Sequence, residues 1–253
     1  MQGFIRGFDG EFADPFLIME NILLSLSDFM KNHADILFAA FFLLFALFAA
    51  AVFAAGRKRR RELEDLALRL GMRFVPKETD IPLDFLKNKR LPLFNEGGAP
   101  AAKNIFAGNE GRTALYVFDY CYSTGSGDSS TLHCQTPAVF VCVPGKLPVF
   151  TVEPEGLFNK LSAKLGYGDV NFEEYPVFSK MYWLKSPQDA QELRRVFHGD
   201  FVHLLEVEKG WHIQSDGQYV VFFKTDGYVN AAGYDDYVRR CRALFTALCA
   251  GLA

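Results

Sequence analysis

Residues Ile36 to Ala55 read ILFAAFFLLFALFAAAVFAA, twenty consecutive positions without a charge, a hydrogen-bonding side chain, Pro or Gly. A helix rises about 1.5 Å per residue, so this stretch covers about 30 Å, the thickness of a bilayer's hydrocarbon core. Twelve of the twenty are Ile, Leu, Phe or Val. Each contributes about −0.3 to −0.6 kcal/mol to insertion near the helix centre, with nothing polar to oppose it. The stretch is predicted to be a single transmembrane helix ending at Ile36 and Ala55. A helix buried in a soluble core rarely runs five turns without a polar residue. A cleaved signal peptide carries its positive charge ahead of the apolar run, whereas here the charge follows it.

That charge is the run Arg57-Lys58-Arg59-Arg60-Arg61. Residues 1–35 hold two basic residues, Arg6 and Lys31, against six acids, Asp9, Glu11, Asp14, Glu20, Asp28 and Asp35. Cytoplasmic flanks are enriched in Lys and Arg, so the acidic N-terminus is expected outside and the C-terminal domain in the cytoplasm. The five basic residues would meet the lipid bilayer's anionic headgroups, each worth about 1 kcal/mol. Ala46, Ala50 and Ala54 recur every fourth residue and leave one smooth face, suited to a homodimer or a membrane-protein partner. The net charge of −3 argues against nucleic acid, which needs a clustered basic excess.

Four segments result: an acidic stretch 1–35, the span 36–56, a basic juxtamembrane helix 57–75 and a cytosolic domain 76–253. In the first, Asp14-Pro15 is a helix start, and Phe16, Met19, Leu23, Leu26 and Met30 define an apolar stripe. That amphipathic helix is expected on the outer membrane face or against a partner. From Arg61 to Leu70 the helix is predicted to continue the span and to stop at Gly71. Residues 76–101, interrupted by prolines and Gly97-Gly98, read mostly as loop.

Thr113 to Ser123 (TALYVFDYCYS) and Ala138 to Val143 (AVFVCV) have strand composition, and a Gly- and Ser-rich turn lies between them. If that turn centres on Gly127-Asp128, Cys121 faces Cys134, Tyr122 faces His133 and Asp119 faces Thr136. Downstream, strands are expected at 148–153, 169–174, 181–185 and 202–207, helices from Pro154 to Leu165 and from Pro187 to about His198, and a hairpin over 210–225. The chain closes with an amphipathic helix lined by Tyr234, Tyr237, Val238, Cys241, Phe245 and Leu248. The fold class is α+β: a mostly antiparallel sheet with helices packed on one face, and a second half compatible with a ferredoxin-like split βαβ unit.

No nucleotide, zinc-protease or nucleophile-elbow motif occurs, and the loop 125–130 joins two strands rather than leading into a helix N-terminus. The five cysteines (Cys121, Cys134, Cys142, Cys241, Cys249) contain no C-x-x-C pair, so no metal or cofactor is expected. His133 and Cys134 point to opposite faces of a strand and cannot form a dyad. Cys121 and Cys134, if apposed, form a redox pair. Asp119 sits between Phe118 and Tyr120 and needs a partner when buried, with Thr136 the expected one.

Short motifs carry a resemblance: LGMRF (70–74), NIFAG (104–108), FDY (118–120), VFTVEPE (149–155) and FSK (178–180). Together they resemble uncharacterised bacterial membrane-anchored proteins in which a short N-terminal membrane segment precedes one cytosolic α+β domain. The resemblance implies a bacterial inner membrane and no particular activity. The residues themselves point to a membrane-anchored, non-enzymatic binding or scaffold domain. The alternatives are an enzyme with a site assembled near Asp119, His133 or His212, and a subunit of a larger membrane complex.

Overall fold

The computed structural model describes residues 33–143, 145–155, 170–225 and 227–252, with a few positions between 19 and 31. Two compact units result, Met1–Arg57 and Lys58–Ala253. The predicted amphipathic helix of 14–30 lies mostly outside the described residues, and so does the helix expected from Pro154 to Leu165.

In the first unit the apolar stretch is helical, as part of helix α1 (Ala34–Arg69). Its best eighteen-residue window has a mean hydropathy of 2.9, long and apolar enough to cross a membrane. Each described Ile, Leu, Phe and Val from Ile36 to Phe53 is more than half exposed. These rings find one another along the helix, Phe38 on Phe42 and Phe41 on Phe42.

In the second unit α1 ends at a left-handed glycine. Gly71 has φ +65°, its N–H donates to Leu68 O at 3.1 Å, and Met72 N–H donates to Ala67 O at 2.9 Å. This is a Schellman closure, which satisfies the last carbonyls while Met72 tucks into the core.

The sheet comprises β1 (Arg73–Lys77), β2 (Gly98–Glu110), β3 (Thr113–Thr124), β4 (Thr131–Gln135), β5 (Ala138–Val141), β6 (Val149–Pro154), β7 (Tyr182–Lys185), β8 (His212–Asp216) and β9 (Tyr219–Phe223). Its order is β1-β2-β3-β5-β9-β8-β6-β7, with β4 also on β3, and each pairing among these strands is antiparallel. Strand β3 serves two partners in succession: Ala114 to Val117 pair with β5, and Tyr120 to Thr124 pair with β4. The β3–β4 register matches Cys121 with Cys134 and Tyr122 with His133, as the turn composition predicts.

Helices α2 (Pro176–Met181), α3 (Ala190–Leu193), α4 (Gly199–Val207) and α5 (Tyr234–Ala250) follow in the second unit, with short 3-10 turns between elements. One sheet face is covered by helices: Leu63, Leu66 and Ala67 of α1, Phe201, Val202 and Leu205 of α4, and the α5 stripe join Leu115, Val117, Phe140 and Phe222 in one core. The other face carries a smaller core in which Phe85, Leu93 and Phe94, from short 3-10 turns, and Leu91 just ahead of the second turn cover Phe118, Tyr120, Val139 and Val221. The Pro- and Gly-interrupted segment read as loop is therefore the lid of the second face.

Two expected strands are absent. Residues 202–207 lie in α4, because neither alternating set of VHLLEV is wholly apolar, whereas helical spacing gathers Phe201, Val202 and Leu205 on one buried face. Residues 170–174 form no strand: the backbone of Phe172 is held by the Ser179 hydroxyl, which accepts from its N–H at 3.1 Å and donates to its carbonyl at 3.2 Å. Without those strands the ferredoxin-like arrangement does not form, and the second half becomes the antiparallel run β9-β8-β6-β7. The helix expected over 187–198 is short, with Asp189 as its N-cap, accepting from Glu192 N–H at 2.8 Å.

Candidate functional site

Alternation along β3 sends Leu115, Val117, Asp119 and Cys121 to the helix-covered face and Phe118, Tyr120 and Tyr122 to the other. Asp119 is wholly buried there. Its carboxylate receives the Arg59 guanidinium, Nη2 at 2.9 Å from Oδ1 and Nε at 3.2 Å from Oδ2. The Asn104 amide adds a donor at 2.9 Å and the Thr136 hydroxyl a longer one at 3.4 Å. Arg59 also donates to Val229 O at 2.8 Å, while Thr136 Oγ1 accepts from Val229 N–H at 3.1 Å. The expected Thr136 contact is present, yet a charged partner dominates it.

Asn104 reaches Asp119 through a bulge. The β2–β3 register passes from Lys103↔Asp119 to Phe106↔Val117, so two residues of β2 stand opposite one of β3, and Asn104 takes φ +52°. Asparagine tolerates this left-handed conformation better than most residues, and the bulge re-aims its side chain. Above the pair, Tyr234 is fully buried with its ring stacked on Phe106 at 4.6 Å. Burial first, and then the Asp119 charge, hold its phenol well above the usual range. A carboxylate with both oxygens accepting and no exposure is poorly placed as a base; the arrangement ties α1 to the sheet.

The remaining basic residues behave differently from Arg59. Arg57 lies over the Phe53 ring at 4.6 Å, and Lys58 lies 3.8 Å from Glu62 on an exposed helix face. Arg60 and Arg61 are exposed. Arg59 thus departs from the expected headgroup role, because its guanidinium is taken by Asp119.

Beyond Asp119 on the same face, Cys121 and Cys134 are half-buried free thiols on directly opposed backbone positions. The Tyr228 phenol lies against both, and burial followed by these thiols pushes its pKa up. Arg59 and Lys103 approach the Tyr228 ring at 5.5 and 5.3 Å. His133 turns to the other face, stacks on Tyr122 at 5.1 Å and has Nε2 2.8 Å from Thr124 Oγ1. His212 is buried on that face too, stacked on Phe223 at 4.9 Å. Strand β8 is three positions from β3, about 14 Å across the sheet. Asp119, His133 and His212 therefore do not converge.

A cavity of about 450 Å³ opens on the second face, against the 3-10 turns of residues 78–87 and Tyr120. Sequence patterning gave no sign of it, since the turns that wall it have no periodicity. Among the described residues, no group of three or more His, Cys, Asp or Glu is placed to hold a metal ion.

No protein-family model matches the chain, and no curated protein matches it. Among solved structures, the crystal structure of the mycobacterial trehalose monomycolate transport factor A, TtfA, is similar, with a TM-score of 0.54 and 15% sequence identity over 78% of this chain and 97% of that one. At that identity the likeness is one of fold, an α+β domain with a large antiparallel sheet.

Proposed function

We propose that this chain is a membrane-anchored, non-catalytic binding or scaffold domain, with its N-terminus outside and residues 58–253 in the cytoplasm of a bacterial inner membrane. The reading is carried by the state of the candidate reactive groups. Asp119 is closed off by Arg59 and Asn104, and the two histidines sit on the opposite face of the sheet. The exposed apolar side chains of α1 and the basic run after them support the anchor and its orientation. The Ala46, Ala50 and Ala54 face supports a helical partner in the bilayer. A second reading, an accessory subunit of a membrane transport complex, is favoured by the fold likeness to a transport factor across nearly all of that chain.

The test is photo-crosslinking in intact membranes followed by identification of what is captured. A specific membrane-protein partner, lost when the alanine face is changed to leucine, is the expected result. Turnover of a substrate by the purified chain, abolished in Asp119→Asn, would overturn the reading. A reporter fused after Ala253 is expected to be active in the cytoplasm.

A further inference from the structure

The 450 Å³ cavity lies within the volume range of small-ligand sites, about 300–1,000 Å³. Ile81, Leu83, Leu86, Pro82 and Pro100 supply an apolar wall, and Tyr120 closes it against the sheet. Tyr120 is 1% exposed, and its hydroxyl has no hydrogen-bond partner among the described residues. A buried hydroxyl left unpaired carries a desolvation cost, and an acceptor that enters by displacing the side chains over it would cancel that cost. Its ring is fixed by edge-on contact with Phe94 at 5.2 Å and by Phe118, so the donor is held in place.

The neighbouring charge defines the acceptor. Glu78 lines the same cavity, and its carboxylate is held there by the Ala102 N–H at 3.0 Å. A fixed carboxylate repels an anionic ligand group, while Asp84 and Lys87 at the rim are exposed and cancel one another. The wall asks for an aliphatic body and the buried donor for one uncharged oxygen.

We propose that this cavity binds a neutral amphiphile, an aliphatic chain bearing an uncharged oxygen acceptor such as an ester carbonyl, with the Tyr120 hydroxyl as donor. The inference rests on the binding-domain reading and gives that domain a ligand class.

The test uses the full chain in lipid nanodiscs and a diazirine-bearing methyl ester of an undecanoic acid as photoprobe, with labelled peptides mapped by mass spectrometry. Labelling is expected within 78–87, competed by methyl decanoate and not by decanoate at the same concentration. Tyr120→Phe keeps the ring and is expected to weaken competition about fivefold, the share of one neutral hydrogen bond. Leu83→Trp, which fills the cavity, is expected to abolish labelling, while Leu252→Trp at a separate cavity leaves it unchanged. Absence of labelling in 78–87, equal competition by decanoate, or indifference to Tyr120→Phe overturns the proposal. A captured protein partner without labelling of this segment removes the ligand class and leaves the binding domain standing.

Discussion

Removing Arg59 strands a carboxylate where water does not reach; removing Asp119 leaves a guanidinium whose side chain is still 26% exposed. The two truncations should therefore be unequal. Arg59→Ala is expected to destabilise the domain by about 3–5 kcal/mol, the cost of an unpaired buried charge, and Asp119→Ala by distinctly less. Urea unfolding of both variants and of the double variant checks this, and equal losses would count against it. Sequence reading identified Asp119 as a carboxylate in need of a partner and found Thr136. It missed Arg59, sixty residues away in a run that looks uniformly lipid-facing, and Asn104, because a bulge leaves no mark in period-2 alternation. A second residue-scale expectation concerns Cys142, whose thiol is pushed up to about 12 by burial and then by Cys249. At pH 8 it should alkylate roughly ten- to a hundredfold more slowly than an exposed cysteine, the lost thiolate fraction being partly offset by the stronger nucleophile, and speed up with rising pH, as read by iodoacetamide mass spectrometry.

At the scale of elements, Gly71 separates conformation from packing. A Cβ there meets nothing within 4 Å, so Gly71→Ala carries only the left-handed φ. That substitution is expected to cost about 1 kcal/mol in a thermal or urea melt, and Gly71→Asn less. The β3–β4 hairpin offers another test. Directly opposed strand residues have Cα atoms about 4.5–5.5 Å apart, inside the range a disulfide spans. Copper-phenanthroline in air is expected to join Cys121 to Cys134 with loss of two hydrogens, oxygen being reduced; peptide mapping that recovers both as free thiols would end the redox-pair idea. This register was legible because composition marks the turn and the side-chain period then fixes every facing pair. Strand 202–207 was misread because six residues are too few to separate strand from helix by spacing, and only the packing of Phe201 and Leu205 decides.

For the whole molecule, the two-faced sheet makes alkaline pH a probe of the smaller core. Tyr122 is pushed up to about 12, by burial and then by Glu96. The unfolded phenol ionises near pH 10, so the folded state holds its proton longer. This contribution is fully present below pH 10 and lost as pH rises toward 12, up to about 2–3 kcal/mol. Tyr122→Phe is expected to flatten that part of the stability–pH curve, and an unchanged slope would refute the assignment. The α+β class and the helix-covered face were readable from amphipathic stripes such as that of α5. The second core was not, since 3-10 turns bury Phe85, Leu93 and Phe94 without any repeating spacing.

The core that unites Leu63 of α1 with Leu248 of α5 also sets a clock on synthesis. About 165 residues separate Arg69 from Tyr234, so at roughly 5–20 residues per second the ribosome needs about 8–30 s between the two helices. For more than half of that interval Leu115 and Phe140 lack the helix that seals them, Phe222 joining them only shortly before α5, while the apolar stretch has long since emerged. The nascent chain is thus exposed to chaperones and proteases for a fixed time, and damage to α5 should appear as lost abundance before it appears as lost binding.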